Sequence, residues 1–116
     1  MSVYKIFHNS KCSKSRQTLQ LLKDNSCKID IISYLEIDLE VSLMRDILKK
    51  LKLKPRDILR KGEQEYKDNN LKKDNLSDED LINYMIKYPK LIERPIVVKG
   101  DKAVIGRPPE NVLELI

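Results

Sequence analysis

The chain has 116 residues, which is the size of one domain and leaves no room for a second hydrophobic core. Hydrophobic residues make up 41% of it, charged residues 35%, and the formal net charge is +5. No apolar run approaches the roughly 20 residues that a membrane span needs. Residues 1–5 open a strand pattern rather than a signal segment, which argues against secretion. Two cysteines do not make the disulfide framework of a small secreted protein. We therefore expect a small cytoplasmic protein.

Positive charge is concentrated between Arg45 and Lys61, where eight basic side chains outnumber two acidic ones, Asp46 and Asp57. A basic segment attracts anions, which include nucleic acids, acidic protein surfaces and small oxyanions. A solvated helix face accounts for most of these lysines equally well. Because the segment has no interleaved aromatic residues and no known docking motif, we do not expect nucleic acid as a partner. Because the chain has no long apolar run, we do not expect a membrane either.

The first third of the chain predicts a β-α-β unit. Residues 3–8 are β-branched and aromatic, which is typical of a buried strand. Polar, turn-forming residues follow in 9–15, and leucines at helical spacing predict a helix over 15–23. The isoleucine-rich residues 29–33 predict the second strand.

The middle of the chain predicts helices only. Residues 39–51 carry apolar side chains at i, i+3, i+4 and i+7, and Pro55 suits the first turn of a short helix. Residues 62–75 are highly polar and predict an irregular loop or a frayed helix. Residues 77–80 fit a capping box, which predicts that a further helix begins there, and Pro89 limits that helix.

The last third returns to strands. Residues 96–98 and 103–105 predict two strands joined by a tight turn at Gly100. The two prolines at 108–109 open a short final helix.

This element order indicates an α/β fold. A β-α-β start, a helical middle and a β-β-α end make a thioredoxin-like mixed sheet with an all-helical insertion one candidate among several. We predict a single domain over 1–116, with the insertion at about 39–90.

Cys12 is the candidate nucleophile. It follows the first strand by a short turn and precedes the first helix, so the amide N–H groups at the helix end would stabilise a thiolate. Lys11, Lys14 and Arg16 add positive charge. A buried, inert cysteine is the alternative, which the polar flanking residues disfavour. His8 could tune the thiol or have a structural role.

The spacing after Cys12 argues against a dithiol site. A dithiol oxidoreductase needs a resolving cysteine at Cys-x-x-Cys, and Ser15 occupies that place. Cys27 lies about 22 Å away along a helical path, too far for a direct disulfide, and we expect it to be dispensable. With one histidine and two separated cysteines, we expect no metal site.

Three arginines stand next to features that constrain the backbone. Arg60 ends the short helix of the middle segment, Arg94 precedes a proline at a strand start, and Arg107 follows the returning strand. Arginine suits bidentate recognition of oxyanions. Salt-bridged surface arginines, with Glu63 or Glu93 as partners, are an equal alternative at this point.

Four segments of the chain occur together in a known family, in the same order and spacing. They are His8-Asn9-Ser10-Lys11-Cys12-Ser13-Lys14-Ser15-Arg16, Ile58-Leu59-Arg60-Lys61, Glu93-Arg94-Pro95-Ile96-Val97-Val98 and Gly106-Arg107-Pro108. With them the chain resembles the glutaredoxin-coupled arsenate reductases of the ArsC family from Val3 to Ile116. Ser10 stands where that family often has proline, which could loosen the turn but removes no chemical group.

The resemblance implies a thioredoxin-like fold and the reduction of arsenate to arsenite. It implies that Cys12 is the nucleophile, that Arg60, Arg94 and Arg107 bind the oxyanion, and that His8 lies near the thiol. Glutathione is implied as co-substrate, with no bound cofactor, and glutaredoxin as partner, although thioredoxin could substitute as electron donor. Because such folds place a cis-proline before the third strand, we expect a cis bond before Pro95.

A rival interpretation belongs to another class of protein. The superfamily also resembles Spx-type regulators, which bind RNA polymerase and typically carry a Cys-x-x-Cys switch near the N-terminus. Ser15 argues against such a switch, and the three arginines argue for an oxyanion site. An ArsC-like thiol oxidoreductase with another substrate is a further alternative.

Overall fold

The computed structural model describes residues Val3–Ile116. Their contacts divide the chain into two compact units. One unit comprises the residues up to Ile37 together with Arg94–Ile116, and the other is Asp38–Glu93.

The first unit is built on a four-stranded mixed sheet. Its strands are β1 (Tyr4–Phe7), β2 (Ile29–Ile32), β3 (Ile96–Lys99) and β4 (Lys102–Ile105). They lie in the order β2-β1-β3-β4. Strands β1 and β2 are parallel, whereas β1 pairs with β3, and β3 with β4, in antiparallel fashion. Helix α1 (Ser13–Asp24) supplies the crossover that the parallel pair needs.

One row of the sheet brings distant parts of the chain to a common edge. Phe7 is paired with Ile32 and with Ile96, and Ile96 is paired with Ile105. Beyond this row β1, β2 and β4 end and β3 begins. The residues just outside all four strands therefore lie at the same edge, although they come from both ends of the sequence.

The core of this unit lies between the sheet and two helical segments. Side chains of β1 and β3 pack with α1 and with a 3₁₀ helix over Pro109–Leu115. The core residues are Tyr4, Ile6, Leu22, Val97, Val112 and Leu115. Leu22 is completely buried, so its replacement by Ala is expected to cost about 2–5 kcal/mol of stability.

The second unit is helical. It contains α2 (Val41–Leu51), α3 (Gln64–Asp68) and α4 (Asp78–Lys87), with 3₁₀ segments at Pro55–Ile58 and Pro89–Leu91. Helix α4 packs against α2 and both 3₁₀ segments. Buried apolar side chains face each other there: Met44, Ile47, Leu48, Ile58, Leu81, Met85 and Leu91.

Most predicted elements are present with slightly different bounds. Of the two alternatives for the segment 62–75, a loop or a frayed helix, the structure shows the short helix α3, because Tyr66 and Leu71 are buried and hold it. The predicted short final helix is present as a 3₁₀ helix. The capping box is confirmed, since Ser77 Oγ accepts the Asp80 N–H and the Asp80 carboxylate accepts the Ser77 N–H.

The α/β class with a mixed sheet is confirmed by the strand pairing. The single domain over 1–116 with an insertion at 39–90 stays a prediction. Among the described residues, no helix has the length and apolar character to cross a membrane.

Candidate active site

The turn that carries Cys12 is held by three hydrogen bonds. The Cys12 N–H donates to the Asn9 carbonyl at 3.0 Å, and the Lys11 N–H donates to Asn9 Oδ1 at 3.0 Å. The Arg16 guanidinium donates to the Ser10 carbonyl at 2.9 Å. Two of these three hydrogen bonds involve side chains, which therefore help to hold the turn that precedes Cys12.

Cys12 is the N-cap residue of α1. Its backbone is extended, and its carbonyl accepts the first helical N–H, from Arg16, at 3.0 Å. The first amide groups of a helix have no partner within the helix and carry partial positive charge. The half-buried Cys12 side chain thus lies where a negative charge is stabilised.

Two arginines from the other end of the sequence contact the sulfur. Arg107 Nη2 lies 3.6 Å from Cys12 Sγ, and Arg107 Nε donates to the Arg94 carbonyl at 3.0 Å. The Arg94 side chain hydrogen-bonds Cys12 as well. Since both arginines flank strands that meet at one edge of the sheet, the topology explains how they reach the thiol.

These contacts change the acidity of the thiol. Burial raises the pKa of Cys12, but the Ser15 N–H, the Arg94 side chain, the Lys14 N–H and the charge of Arg107 outweigh it, so the pKa is lowered overall. A lowered pKa increases the thiolate fraction near neutral pH.

His8 contacts Ser15. Its Nδ1 lies 2.6 Å from Ser15 Oγ, which also accepts the Asn9 N–H at 3.1 Å. Burial, and then the charges of Arg16 and Lys23, lower the pKa of His8. A neutral imidazole can accept a hydrogen bond from the Ser15 hydroxyl at Nδ1. Ser15, which is completely buried, therefore holds the histidine against the start of α1.

The backbone before Arg107 approaches α1 closely. Gly106 donates its N–H to the Pro95 carbonyl at 2.8 Å and touches Thr18. A Cβ at Gly106 would lie 2.9 Å from Pro95 Cγ, so a larger residue there requires a shift. The Arg94–Pro95 bond is cis, as predicted, and so is the bond between Arg107 and the proline that follows it.

Arg60 belongs to the helical unit, and there it is ion-paired. Its Nε lies 3.2 Å from Glu63 Oε1 and its Nη1 lies 3.6 Å from Glu93 Oε2. Its N–H donates to the Leu91 carbonyl at 2.7 Å. Both carboxylates named as alternative partners of Arg60 are thus present, and its role in anion binding stays a prediction.

Tyr34 was missed in the sequence. It follows β2, its side chain is only 2% exposed, and it is close enough to the Arg94 guanidinium to raise the pKa of Arg94. The sequence could have indicated its position. The residues that follow two parallel strands lie at the same edge of a sheet, and Tyr34 follows β2 as His8 follows β1.

The remaining features are a pocket near Cys12, the metal-binding side chains and the second cysteine. A pocket of about 230 Å³ opens beside its turn, between residues 8–11 and the segment Ser33, Leu35 and Glu36. Within Val3–Ile116, no group of three or more metal-binding side chains comes together. Cys27 lies beyond the far end of α1, partly packed against the core.

The sequence motifs and this geometry agree with a comparison against protein families. The family model of ArsC matches residues 7–115. The chain belongs to the ArsC family. The match includes all four segments on which the resemblance was based.

Individual relatives cover almost the whole chain. A protein of Escherichia coli named Uncharacterized protein YfgD is 50% identical over 113 residues, which are 97% of this chain and 95% of that one. A Haemophilus influenzae protein named arsenate reductase is 44% identical over 112 residues, 96% of this chain and 97% of that one. The solved structure of arsenate reductase from Vibrio cholerae has a TM-score of 0.95 at 44% identity and covers 98% of each chain. The fold is thioredoxin-like, as predicted.

Proposed function

We propose that this protein is an arsenate reductase that uses Cys12 as a monothiol nucleophile with glutathione and glutaredoxin. The observation that best supports this proposal is the environment of the Cys12 sulfur. Cys12 lies at the start of α1, and the guanidinium groups of Arg94 and Arg107 both contact it. A thiolate between cationic donors is suited to attack a tetrahedral anion.

The first step joins sulfur to arsenic. Arsenate carries one to two negative charges at neutral pH, so its repulsion from a thiolate must be neutralised before attack. Arg94, Arg107 and the helix end do this. The Cys12 thiolate attacks arsenic, a sulfur–arsenic bond forms, and hydroxide or, after protonation, water leaves. Arsenic is still in its +5 state in this adduct.

The second step requires another thiol. Ser15 stands where a resolving cysteine would be, and Cys27 follows the far end of α1, a helix of 12 residues or about 18 Å. Glutathione therefore attacks the Cys12 sulfur and forms a mixed disulfide. The electron pair of the sulfur–arsenic bond stays on arsenic, which is reduced to its +3 state. A glutaredoxin thiolate then takes the glutathione and releases Cys12.

The pocket beside the Cys12 turn suits a small thiol peptide. Lys11 and Glu36 place charges of both signs on its walls, and Ser10 and Ser33 border it. Glutathione carries two carboxylates and one ammonium group. We assign the peptide part of glutathione to this pocket. We therefore expect Lys11→Glu to raise the KM for glutathione more than the KM for arsenate.

Arg60 is proposed as a third ligand of the oxyanion. The negative charges of Glu63 and Glu93 oppose the binding of an anion at Arg60. The Arg60 guanidinium would therefore have to bind arsenate while it is paired with these two carboxylates. Its contribution is therefore tested separately from those of Arg94 and Arg107.

The test is arsenate-dependent oxidation of NADPH with glutathione, glutaredoxin and glutathione reductase. We expect turnover that stops when arsenate, glutathione or glutaredoxin is left out, and no turnover for Cys12→Ser. Replacement of glutaredoxin by thioredoxin with its reductase identifies the electron donor. Absence of turnover together with capture of RNA polymerase would favour the regulator instead. We propose that the activity takes place in the cytoplasm, because glutathione is abundant and keeps thiols reduced there.

A further inference from the structure

The chain turns sharply after β4, and Arg107 lies in that turn. The Arg107 N–H donates to the Ile105 carbonyl at 2.9 Å, which closes a three-residue turn around Gly106. Arg107 is exposed, so packing in a core does not fix it. Hydrogen bonds to the turn therefore have to keep its guanidinium at 3.6 Å from Cys12 Sγ.

One side chain binds the backbone on both sides of this turn. Asn111 Nδ2 donates to the Ile105 carbonyl at 3.1 Å and to the Arg107 carbonyl at 3.1 Å. An amide NH₂ group has two N–H donors, one for each carbonyl, whereas the amide oxygen is an acceptor and could bind neither. Asn111 therefore fixes the peptide groups on either side of Gly106 and Arg107.

Asn111 is itself attached to the core of the sheet-containing unit. It belongs to the 3₁₀ helix Pro109–Leu115, in which the neighbouring Val112 is completely buried. The Tyr4 hydroxyl donates to the Leu115 carbonyl at 3.1 Å and ties this helix to β1. The turn of Arg107 is thus connected through Asn111 to a well-packed part of the unit.

The side chain of Arg107 is held separately from its backbone. Its Nε donates to the Arg94 carbonyl at 3.0 Å, and its Nη2 reaches the Cys12 sulfur. Because a long side chain samples many rotamers, one geometry prevails only when both its backbone and its guanidinium are fixed. Asn111 supplies the backbone part of this restraint.

We propose that Asn111 is a positioning residue that fixes the backbone of Arg107 and thereby directs the Arg107 guanidinium toward Cys12. Asn111 acts on the sulfur only through Arg107. The consequence for arsenate rests on the proposed function, whereas the consequence for the thiol needs no substrate.

The primary test measures the alkylation rate of Cys12 against pH in a Cys27→Ala background. Burial raises the pKa of Cys12, and the charge of Arg107 is one of the interactions that lower it. Asn111→Leu keeps the approximate size of the side chain and removes both N–H donors. We expect the apparent pKa of Cys12 to rise, by at most the shift that Arg107→Ala produces.

Asn25→Leu is the matched control. Asn25 also binds a backbone carbonyl of the same unit, since its Nδ2 donates to the Leu21 carbonyl at 2.8 Å, but it does so at the far end of α1. We expect the Cys12 pKa to be unchanged in that variant. Asn111→Ala is a second variant without the donors, in case the leucine variant does not fold, and thermal unfolding identifies variants that retain the native fold.

A second comparison asks whether Asn111 acts through Arg107. In an Arg107→Ala background, Asn111→Leu should produce no additional rise of the Cys12 pKa, since the positioned group is already absent. In the otherwise unchanged protein, loss of the two hydrogen bonds should reduce kcat/KM for arsenate about 5- to 30-fold.

These measurements separate the positioning role from the proposed function. An unchanged Cys12 pKa in a folded Asn111 variant overturns the positioning role. An equal rise in Asn25→Leu, or the same further rise in the Arg107→Ala background, overturns it as well. A raised Cys12 pKa in Asn111→Leu, in a protein without arsenate turnover, would support the positioning role and contradict the arsenate reductase function alone.

Discussion

Arg107 Nη2 lies 3.6 Å from Cys12 Sγ, although 95 residues separate them in the chain. The contact exists because β1 and β4 both end at one edge of the sheet, one before the turn of Cys12 and the other before Arg107. It links the candidate nucleophile at the start of a helix to a donor suited to oxyanions.

The alkylation of Cys12 is expected to have a midpoint below the roughly 8.5 of a free thiol. Despite the effect of burial, the helix end, Arg94 and Arg107 lower the pKa of this thiol. Rates of iodoacetamide reaction between pH 5 and 10, in a Cys27→Ala background, give the midpoint. The same protein unfolded in urea is the control, and equal midpoints in the two states would remove the basis for an activated thiol.

Cys27 should be dispensable for turnover. It lies beyond the far end of α1 and packs partly against the core, with its sulfur 3.9 Å from the Asn25 carbonyl oxygen. Cys27→Ser is expected to keep kcat within about twofold, whereas Cys12→Ser abolishes activity. Loss of activity in both variants would instead indicate an intramolecular dithiol mechanism.

Lysine should not replace Arg94 or Arg107. Each change keeps the charge but loses the planar fork, and we expect kcat/KM to fall by an equivalent of about 2–4 kcal/mol for each, by analogy with loss of an oxyanion donor. Arg45→Lys is the matched control, because Arg45 forms an exposed ion pair with Glu79. Near-normal kinetics of Arg94→Lys and Arg107→Lys would contradict the assigned role.

Arg60 should contact the anion in crystals soaked with arsenate or sulfate, together with Arg94 and Arg107. Glu63→Gln is expected to lower the KM for arsenate, because it removes a competing carboxylate 3.2 Å from Arg60 Nε. Lys61→Ala, at an exposed neighbour, is the control. An anion bound elsewhere, with Arg60 still held by Glu63 and Glu93, would exclude it from the site.

His8 should make folding stability depend on pH below about 6.5, its unperturbed pKa. Burial, and the charges of Arg16 and Lys23, lower the pKa of His8 in the folded state. The unfolded chain therefore binds a proton first as the pH falls, and stability declines from the unfolded pKa down through the folded one. Urea unfolding at pH 7.5 and 5.5 should show a larger loss for the native protein than for His8→Gln.

The sequence by itself predicted most of the elements and the candidate nucleophile. Hydrophobic periodicity located the helices, and the strand–turn–helix order indicated that Cys12 begins a helix, which the structure shows. Ser15 in place of a resolving cysteine defined the monothiol chemistry that we propose. These inferences concern neighbours along the chain, where spacing alone decides which groups are adjacent.

Only the tertiary structure decided which distant side chains meet Cys12. The pairing of Phe7 with Ile32 and Ile96 brings Tyr34 and Arg94 to the same edge of the sheet, and no local pattern in the sequence records that pairing. Nor does the sequence say that Tyr34 is buried, or decide between the two alternatives for Arg60, which pairs with Glu63 and Glu93 in the structure. Burial depends on packing between segments far apart in the chain, whereas periodicity records only which face of its own element a residue occupies.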